Sequence, residues 1–244
     1  MHLTIKSLLM QCVRPDSIEL WVAEGDYNEL PDRVKKLESD GLVIRLCEDL
    51  RSYKKIIPRL RESKSDWVVI ADDDLYYWPT WLEELTCAAR SSDRQVVCSR
   101  CHRIEFSRSA LPAPYMSWEF NVSAPAERDV IFPTGIGGVL YPPGVFSEDV
   151  CNEALFLQLC PTGDDIWLFW MSALNGATFR RSGARHRLIV WNGSQECALF
   201  NQNALFDNHN DRQISAMLKK YGWPFAVADR IGGAQAIEAL ADQS

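Results

Sequence analysis

The sequence predicts a single α/β domain over residues 1–244, in which helices flank a mixed sheet that is mainly parallel in its N-terminal half. Apolar segments of strand length alternate with amphipathic segments of helical period over about the first hundred residues, which is typical of βαβ units. The 244 residues contain no internal repeat, low-complexity stretch or linker, and 47% of them are hydrophobic. One domain with a substantial core is therefore expected.

The first half of the chain supplies most of the predicted sheet. The sequence predicts a helix over 1–11, strands over 18–22, 42–46 and 67–70, and helices between and after these strands. Pro31 and Gly41 mark the ends of the helix between the first two strands. Pro58 lies inside the next helical pattern, so a kink or a later start is expected there. Pro79 opens the helix that follows the third strand.

The second half is less regular. Its predicted elements are a long strand over 95–104, an irregular proline-punctuated segment over 111–128, a glycine-containing segment over 130–143, an apolar helix over 164–175, a strand over 177–181, an amphipathic helix over 211–221 and a weak tail over 231–244. Trp67, Trp167 and Trp170 fall at apolar positions, so they are expected in the core.

Composition excludes several classes of protein. The net charge of −7, from 26 basic and 33 acidic residues, argues against a nucleic-acid-binding protein. No apolar run approaches the roughly 20 residues of a membrane-spanning helix, and no secretory signal is expected from the N-terminal residues. The eight cysteines have no framework spacing, so reduced, buried thiols in a cytoplasmic protein are expected. Cys98 and Cys101 with His102 match a haem attachment signature, which we attribute to chance because the run is β-like.

Three carboxylates follow the third predicted strand directly. The apolar run Trp67–Ile70 leads through Ala71 into Asp72, Asp73 and Asp74. Alternate residues of an extended chain point the same way, so Asp72 and Asp74 are expected to share a face. Two carboxylates on one face suit a hard divalent cation that also binds phosphates, and a solvated loop is the alternative.

A second acidic pair, Asp164 and Asp165, precedes the apolar helix over 164–175. Acids at this position cap a helix and complement its dipole, which is the structural interpretation. In the functional interpretation one of the two acids faces a cleft and removes a proton from a hydroxyl group. Lys55, upstream, is either a point cation for phosphate or part of a solvated helix face.

These segments together resemble GT-A-fold glycosyltransferases, and more narrowly a bacterial family-2-like group. The resemblance rests on the triple Asp, on Tyr53-Lys54-Lys55-Ile56-Ile57-Pro58 upstream, on Trp78-Pro79-Thr80-Trp81-Leu82 downstream, and on Gly135-x-Gly137-Gly138 before Tyr141-Pro142-Pro143. It implies a GT-A-like (Rossmann-like) sheet, a donor half over about residues 1–105 and an acceptor half over about 106–244. The chain differs in placing Trp78 directly before the proline, and in starting at a helix where the family has a strand.

The resemblance also implies a set of site residues. Asp72 and Asp74 would bind Mn²⁺ or Mg²⁺, with His186 or His209 as a third ligand. Asp165 would be the catalytic base, with Asp164 capping the helix or orienting the acceptor. The donor would contact Lys55, Asp72, Asp73, Arg100, His102, Gly137 and Gly138. Trp118, in the irregular segment, would be the residue that stacks on a sugar.

The function that this resemblance implies is metal-dependent, inverting transfer of a sugar from a nucleotide-sugar donor to a glycan or lipid-linked acceptor, in surface polysaccharide biosynthesis. A cytoplasmic location, no transmembrane segment and no nucleic-acid partner are expected, and peripheral association with a membrane stays open. A non-catalytic remnant that binds a sugar or nucleotide is the first alternative. A nucleotidyltransferase is the second, although the glycine-rich basic N-terminal loop of such enzymes is absent from the sequence.

Overall fold

The computed structural model describes residues 1–89, 94–183, 186–191 and 208–225. Its helices are α1 (His2–Leu9), α2 (Asp32–Lys35), α3 (Ile57–Glu62), α4 (Trp81–Ala88), α5 (Glu153–Leu159), α6 (Asp164–Ala173) and α7 (His209–Tyr221). Its strands are β1 (Ile18–Ala23), β2 (Leu42–Cys47), β3 (Val68–Ile70), β4 (Leu75–Tyr76), β5 (Gln95–Cys98), β6 (Cys101–Arg103), β7 (Ile131–Pro133), β8 (Val139–Tyr141), β9 (Thr178–Arg181) and β10 (Ile189–Val190).

The main sheet has four strands in the order β3-β8-β5-β9. Strand β8 is antiparallel to both β3 and β5, and β9 is parallel to β5. Strands β3, β5 and β9 therefore run in one direction, and their carboxyl ends meet at the same edge of the sheet. This edge carries the segments after Ile70, after Cys98 and after Arg181, and polar side chains gather there.

The mixed α/β architecture agrees with the prediction, but within the described residues of the first half only β1 and β2 pair in parallel with each other. These two strands form a sheet of their own, because β3 takes its ladder partner β8 from the second half of the chain. A guanidinium bridges the two sheets: Arg59 Nη2 donates to Asp66 Oδ2 at 2.5 Å, and Arg59 Nη1 lies 3.9 Å from Glu19 Oε1.

The core is divided in the same way. The largest cluster of buried side chains surrounds α6, where Trp167 and Trp170 are fully buried as predicted. A second cluster joins α4 to β4 and β8, and a third lies between α1, α2 and the β1–β2 pair. The prediction that Trp67 lies in the core is wrong, because its side chain is 45% exposed. Trp67 precedes β3, so it has no neighbouring strand to cover it.

Several predicted elements shift. The strand expected over 95–104 breaks at Ser99 and Arg100 into β5 and β6, which belong to different sheets. Helix α3 starts late, with Pro58 in its first turn, as Pro58 led us to expect. The sequence analysis missed α5, although the Asn152 side chain accepts a hydrogen bond from the Leu155 N–H at its start. The predicted tail over 231–244 lies outside the described residues.

The glycine at the start of β8 lets the backbone approach an aromatic ring. Gly138 has φ +96°, and a Cβ there would collide with Cζ2 of Trp81. The Trp81 ring cannot move away easily, because its Nε1–H donates to the Gly137 carbonyl at 2.7 Å and its ring packs against Tyr77 at 4.4 Å. Gly138 is therefore required for packing of α4 against the sheet.

We predict that Gly138→Ala lowers the free energy of unfolding by about 2–4 kcal/mol, since it combines overpacking with a left-handed backbone. Gly144→Ala is the matched control: φ is +63° but no atom lies within 4 Å of the added methyl group. It should cost only about 1 kcal/mol. Urea unfolding measures both values, and equal losses would contradict the packing role of Gly138.

Candidate active site

The triple Asp lies at the carboxyl end of β3, as predicted, but the chain does not stay extended there. Asp73 and Asp74 form a turn that leads into β4. Strand alternation therefore does not place Asp72 and Asp74 on one face, because alternation holds only in an extended chain. The turn is anchored from outside, since Thr4 Oγ1 donates to the Asp73 carbonyl at 2.8 Å and the Asp72 N–H donates to the Tyr77 hydroxyl at 2.7 Å.

Lys55 lies between the two acidic motifs. Its Nζ is 2.7 Å from Asp164 Oδ2 and 3.5 Å from Asp72 Oδ1. Its side chain is 21% exposed, and those of Asp164 and Asp72 are 8% and 26% exposed. The interpretation of Lys55 as part of a solvated face is thus wrong. Lys54 instead pairs with Asp49, at 3.0 Å, at the surface.

The segment that carries Lys55 is fixed on the loop that precedes Asp164. Residues Arg51–Lys55 form a 3₁₀ turn, in which the Tyr53 side chain is fully buried. The Tyr53 hydroxyl donates to the Cys160 carbonyl at 2.6 Å, and its ring stacks on Phe156 with centroids 4.1 Å apart. These contacts set the position of the Lys55 ammonium relative to Asp164.

Asp164 and Asp165 begin α6, but neither side chain caps it. The N-cap residue is Gly163, and the helix has no side-chain cap hydrogen bond. The capping interpretation of Asp164 is therefore wrong, because its carboxylate pairs with Lys55 instead. Asp165 Oδ2 accepts a hydrogen bond from the Gly135 N–H at 2.9 Å. The loop before the pair is held by Gln213 of α7, whose Oε1 accepts from the Thr162 N–H at 3.1 Å.

The surroundings of Asp165 change its pKa. Burial and the neighbouring Asp164 carboxylate raise the pKa of Asp165 to about 7, although Lys55 and the Gly135 N–H act in the opposite direction. Burial by itself lowers the pKa of Lys55, but the carboxylates of Asp164, Asp72 and Asp165 outweigh burial and raise this pKa above its ordinary value. Lys55 is thus charged at neutral pH, while Asp165 is close to its titration midpoint.

Gly135 is a site residue that the sequence analysis did not single out. A Cβ at this position would lie 2.7 Å from Asp165 Oδ1 and 2.9 Å from Lys55 Nζ. A side chain there would thus collide with both charged groups. Gly137 and Gly138 were predicted to approach the donor. An added Cβ at Gly137 would press on Leu188, and one at Gly138 would collide with Trp81. The signal was present, because Gly135 belongs to the same glycine-rich motif.

Arg100 and His102 have different environments. Arg100 Nη1 donates to Thr134 Oγ1 at 3.3 Å, next to Gly135, and its Nε donates to the Asn121 side chain. His102 is only 1% exposed, and its ring packs on Phe120 with centroids 4.3 Å apart. Burial, with a further contribution from Arg100, lowers the pKa of His102 to about 4. His102 is therefore a neutral core residue, and the prediction that it contacts the donor is wrong.

The remaining predicted residues lie elsewhere. Trp118 is buried at 3% exposure and donates from Nε1 to the Ala113 carbonyl, so it is not exposed for stacking on a sugar. His186 stacks on Trp78 and lies 3.4 Å from Glu84 Oε1, and His209 is the first residue of α7. Over the described residues, no three His, Cys, Asp or Glu side chains are grouped to hold a metal ion. Neither histidine therefore completes a three-ligand site with Asp72 and Asp74.

The chemistry of the acidic turn still fits a divalent cation that binds together with a substrate. Mg²⁺ in phosphate-transfer sites is commonly held by one or two carboxylates, with substrate phosphate and water as the other ligands. Asp72, at 26% side-chain exposure, and the half-buried Asp74 supply hard oxygen donors of this type. Lys55 is surrounded by three carboxylates, those of Asp72, Asp164 and Asp165. Their negative charge exceeds the single positive charge of Lys55, which favours binding of a further cation.

Comparisons with known proteins identify the family. The family model described as glycosyl transferase family 2 matches residues 2–139, which is more than half of the chain. Neither the curated proteins nor the solved structures include a match. Over the described residues, no helix is long and apolar enough to cross a membrane. Because residues 2–139 match this model, the chain belongs to glycosyl transferase family 2, has the GT-A Rossmann-like fold and is a glycosyltransferase that uses a nucleotide-sugar donor.

Proposed function

We propose that the protein transfers a sugar with inversion, with Asp165 as the general base and Lys55 beside the diphosphate of the donor. One observation supports this above the others: the Lys55 ammonium lies 3.5 Å from Asp72 and 2.7 Å from Asp164. It thus joins the carboxylate at the end of β3 to the acidic pair that opens α6. A donor bound at the first motif and an acceptor bound at the second would meet at this lysine.

The donor side is the region of Asp72. Lys55 would add a point charge to the leaving diphosphate, and the guanidinium of Arg100 and the backbone at Gly137 and Gly138 would border the donor. Asp72 and Asp74 would hold Mn²⁺ or Mg²⁺, which when bound supplies a Lewis acid for the leaving group. Members of this family commonly use a divalent metal. Asp73 would lie near the donor because it belongs to the same turn as Asp72 and Asp74.

The acceptor side is the region of Asp165. Its Oδ2 is held by the Gly135 N–H, so Oδ1 would take the proton of the acceptor hydroxyl. The acceptor oxygen would attack the anomeric carbon as the bond to diphosphate breaks on the opposite face, which gives inversion. A base works best when its pKa lies near the working pH, and Asp165 has a pKa of about 7. Asp164, paired with Lys55, would orient the acceptor.

The acceptor class and the setting follow from the same proposal. A glycan or lipid-linked acceptor in cytoplasmic assembly of a surface polysaccharide suits a family 2 enzyme of this motif pattern. The intact Lys55–carboxylate cluster favours catalysis over a non-catalytic remnant, because a binding module has no need of a base with a raised pKa. Membership of a glycosyl transferase family disfavours the nucleotidyltransferase alternative.

The two acids of α6 should have separable effects. Asp165→Asn should keep donor affinity and lower turnover by a factor on the order of 10² to 10⁴, the usual contribution of a general base. Asp164→Asn should have a milder effect on turnover, since Lys55 retains Asp72 as a partner. The measurements are transfer to an acceptor, donor affinity by calorimetry, and a thermal melt as a control for folding. Normal transfer by Asp165→Asn with loss in Asp164→Asn would reverse the assignment.

The pH dependence of kcat/KM should report Asp165. Protonated Asp165 cannot accept a proton, so the rate should fall as the pH drops through about 7, the pKa of this carboxyl. Lys55→Gln should move this acidic limb of the pH–rate profile to higher pH, because the Lys55 ammonium lowers the pKa of Asp165. Asp165→Asn should remove the limb. A limb near the ordinary aspartate value, about 3.9, would contradict the base assignment.

Donor binding should depend on a divalent cation. Calorimetry with a panel of UDP- and GDP-sugars should show binding with Mn²⁺ or Mg²⁺ and much weaker binding after a chelator is added. Asp72→Asn or Asp74→Asn should abolish the difference between the two conditions, since each change removes one charge from the donor set. If the unaltered protein binds the donor with equal affinity with and without chelator, a role of the metal in donor binding is excluded.

A further inference from the structure

A groove of about 1390 Å³ runs along β9, the edge strand of the main sheet. One end of the groove is formed by Arg94 and Gly176, at the start of the strand, and the other by Ser182 and Gly183, after its end. The opposite wall comes from the segment 123–131. The groove is therefore elongated in the direction of the strand, and nothing in the proposed chemistry makes use of it.

The described lining of the groove is rich in arginine. Arg94, Arg180, Arg181 and Arg187 line it, against two acids, Glu127 and Asp129. The charge of Asp129 is partly engaged elsewhere, since its Oδ2 lies 3.8 Å from Arg103 Nη1. Among the described residues, no carboxylate lies within 4.0 Å of the guanidinium of Arg94, Arg180 or Arg187. This concentration of positive charge contrasts with the net charge of −7 for the chain.

Neutral oxygens hold two of these guanidinium groups in place. Arg94 Nη1 donates to the Asn175 carbonyl at 2.6 Å and to Asn175 Oδ1 at 3.1 Å. Arg181 Nη1 donates to the Ser123 carbonyl at 2.8 Å. Carbonyl and amide oxygens orient a guanidinium without cancelling its charge. The Arg94 guanidinium is thus pre-organised for an anionic ligand, which lowers the entropy cost of binding.

The groove opens at the same edge of the sheet as the candidate active site. The Ser99 N–H donates to the Gly138 carbonyl at 3.1 Å, and the Ser182 N–H donates to the Cys98 carbonyl at 2.8 Å. These bonds connect neighbouring strands across the carboxyl edge from β8 to β9. Strand β9 is three positions from β3, which at about 4.8 Å per strand is roughly 14 Å. An elongated acceptor could extend from Asp165 into the groove.

Protection of a sheet edge and binding to a membrane surface account for the arginines less well. Charged residues on an edge strand prevent pairing with other chains, which would explain Arg180. Arg94 and Arg187 lie outside β9, however, so protection of the edge does not account for them. A membrane surface would be contacted by basic residues that project from the protein, whereas these arginines line a concave groove. Arginine forks match carboxylate and phosphate groups on a chain-like ligand.

We propose that the groove beside β9 binds the anionic part of an acceptor glycan, one that carries carboxylate or phosphate groups away from the reacting hydroxyl. The assignment of this glycan as the acceptor rests on the proposed function, but binding of an anionic glycan does not require turnover. The groove therefore fixes a substrate class: an elongated, negatively charged saccharide whose reacting end reaches Asp165 while its charged units contact the arginines.

The test is equilibrium binding without a donor. The probes are hexagalacturonate and a phosphomannan oligosaccharide, with maltohexaose as the neutral comparison and phosphatidylglycerol vesicles as the membrane arm. The unaltered protein should bind at least one anionic probe, and binding should weaken as salt rises. Arg180→Glu/Arg187→Glu should weaken it by about tenfold or more, since attraction becomes repulsion. Arg33→Glu/Lys36→Glu, the same charge change at exposed positions of α2 and the turn after it, should leave binding unchanged.

The outcomes separate the groove from the catalytic proposal. Arginine-dependent binding of an anionic glycan supports the groove even if no transfer is ever detected. The inference is overturned if maltohexaose binds as tightly as both anionic probes, if neither binds, if the α2 variant loses as much affinity as the β9 variant, or if only the vesicles bind. Arg180→Gln, which removes a single exposed charge, should give a smaller loss and serves as a second variant should the double variant melt early.

Discussion

The site depends on a single ammonium group placed among three carboxylates. Lys55 offsets the charge of Asp72 and Asp164, and it limits the rise in the pKa of Asp165. Without it, three acids would face one another in a half-buried space, which is unfavourable unless some of them are protonated. The contacts of Tyr53 with the loop before α6 hold the lysine there. A structural contact between two distant segments thus places the positive charge that limits the rise in the pKa of Asp165.

The acidic motifs of the site could be predicted from the sequence, but the contact that brings them together could not. The acids at the end of β3 and at the start of α6 were found because each follows or precedes a clear apolar segment. The ion pair between Lys55 and Asp164 could not be found, since it requires the contact of Tyr53 with Cys160, which lies 107 positions away along the chain. Gly135 was named in the glycine motif but not among the site residues, because the groups that a Cβ there would meet come from two other segments.

The errors in the second half share one physical cause. His102 was expected at the cleft because of the family resemblance, and Trp118 because the segment around it is irregular. Burial in such a segment comes from packing of aromatic rings on one another, as in the contacts of Trp118 with Tyr115 and Phe132. Periodicity detects faces of regular elements only. The break between β5 and β6 escaped prediction for a related reason, because it depends on pairing with β7 and β8.

The distribution of charge along the carboxyl edge gives the acceptor an orientation. At one end, Asp72, Asp164 and Asp165 would repel an anionic group, so an uncharged hydroxyl is the part of a glycan that can approach Asp165 at low cost. At the other end, the arginines along β9 attract anionic groups and repel cations. Opposite fields at these two places therefore favour a single direction of binding, even before any contact with the sugar hydroxyls forms. A glycan bound in reverse would place its charges against the carboxylates and leave the arginines unpaired, so the edge selects orientation through repulsion as well as attraction.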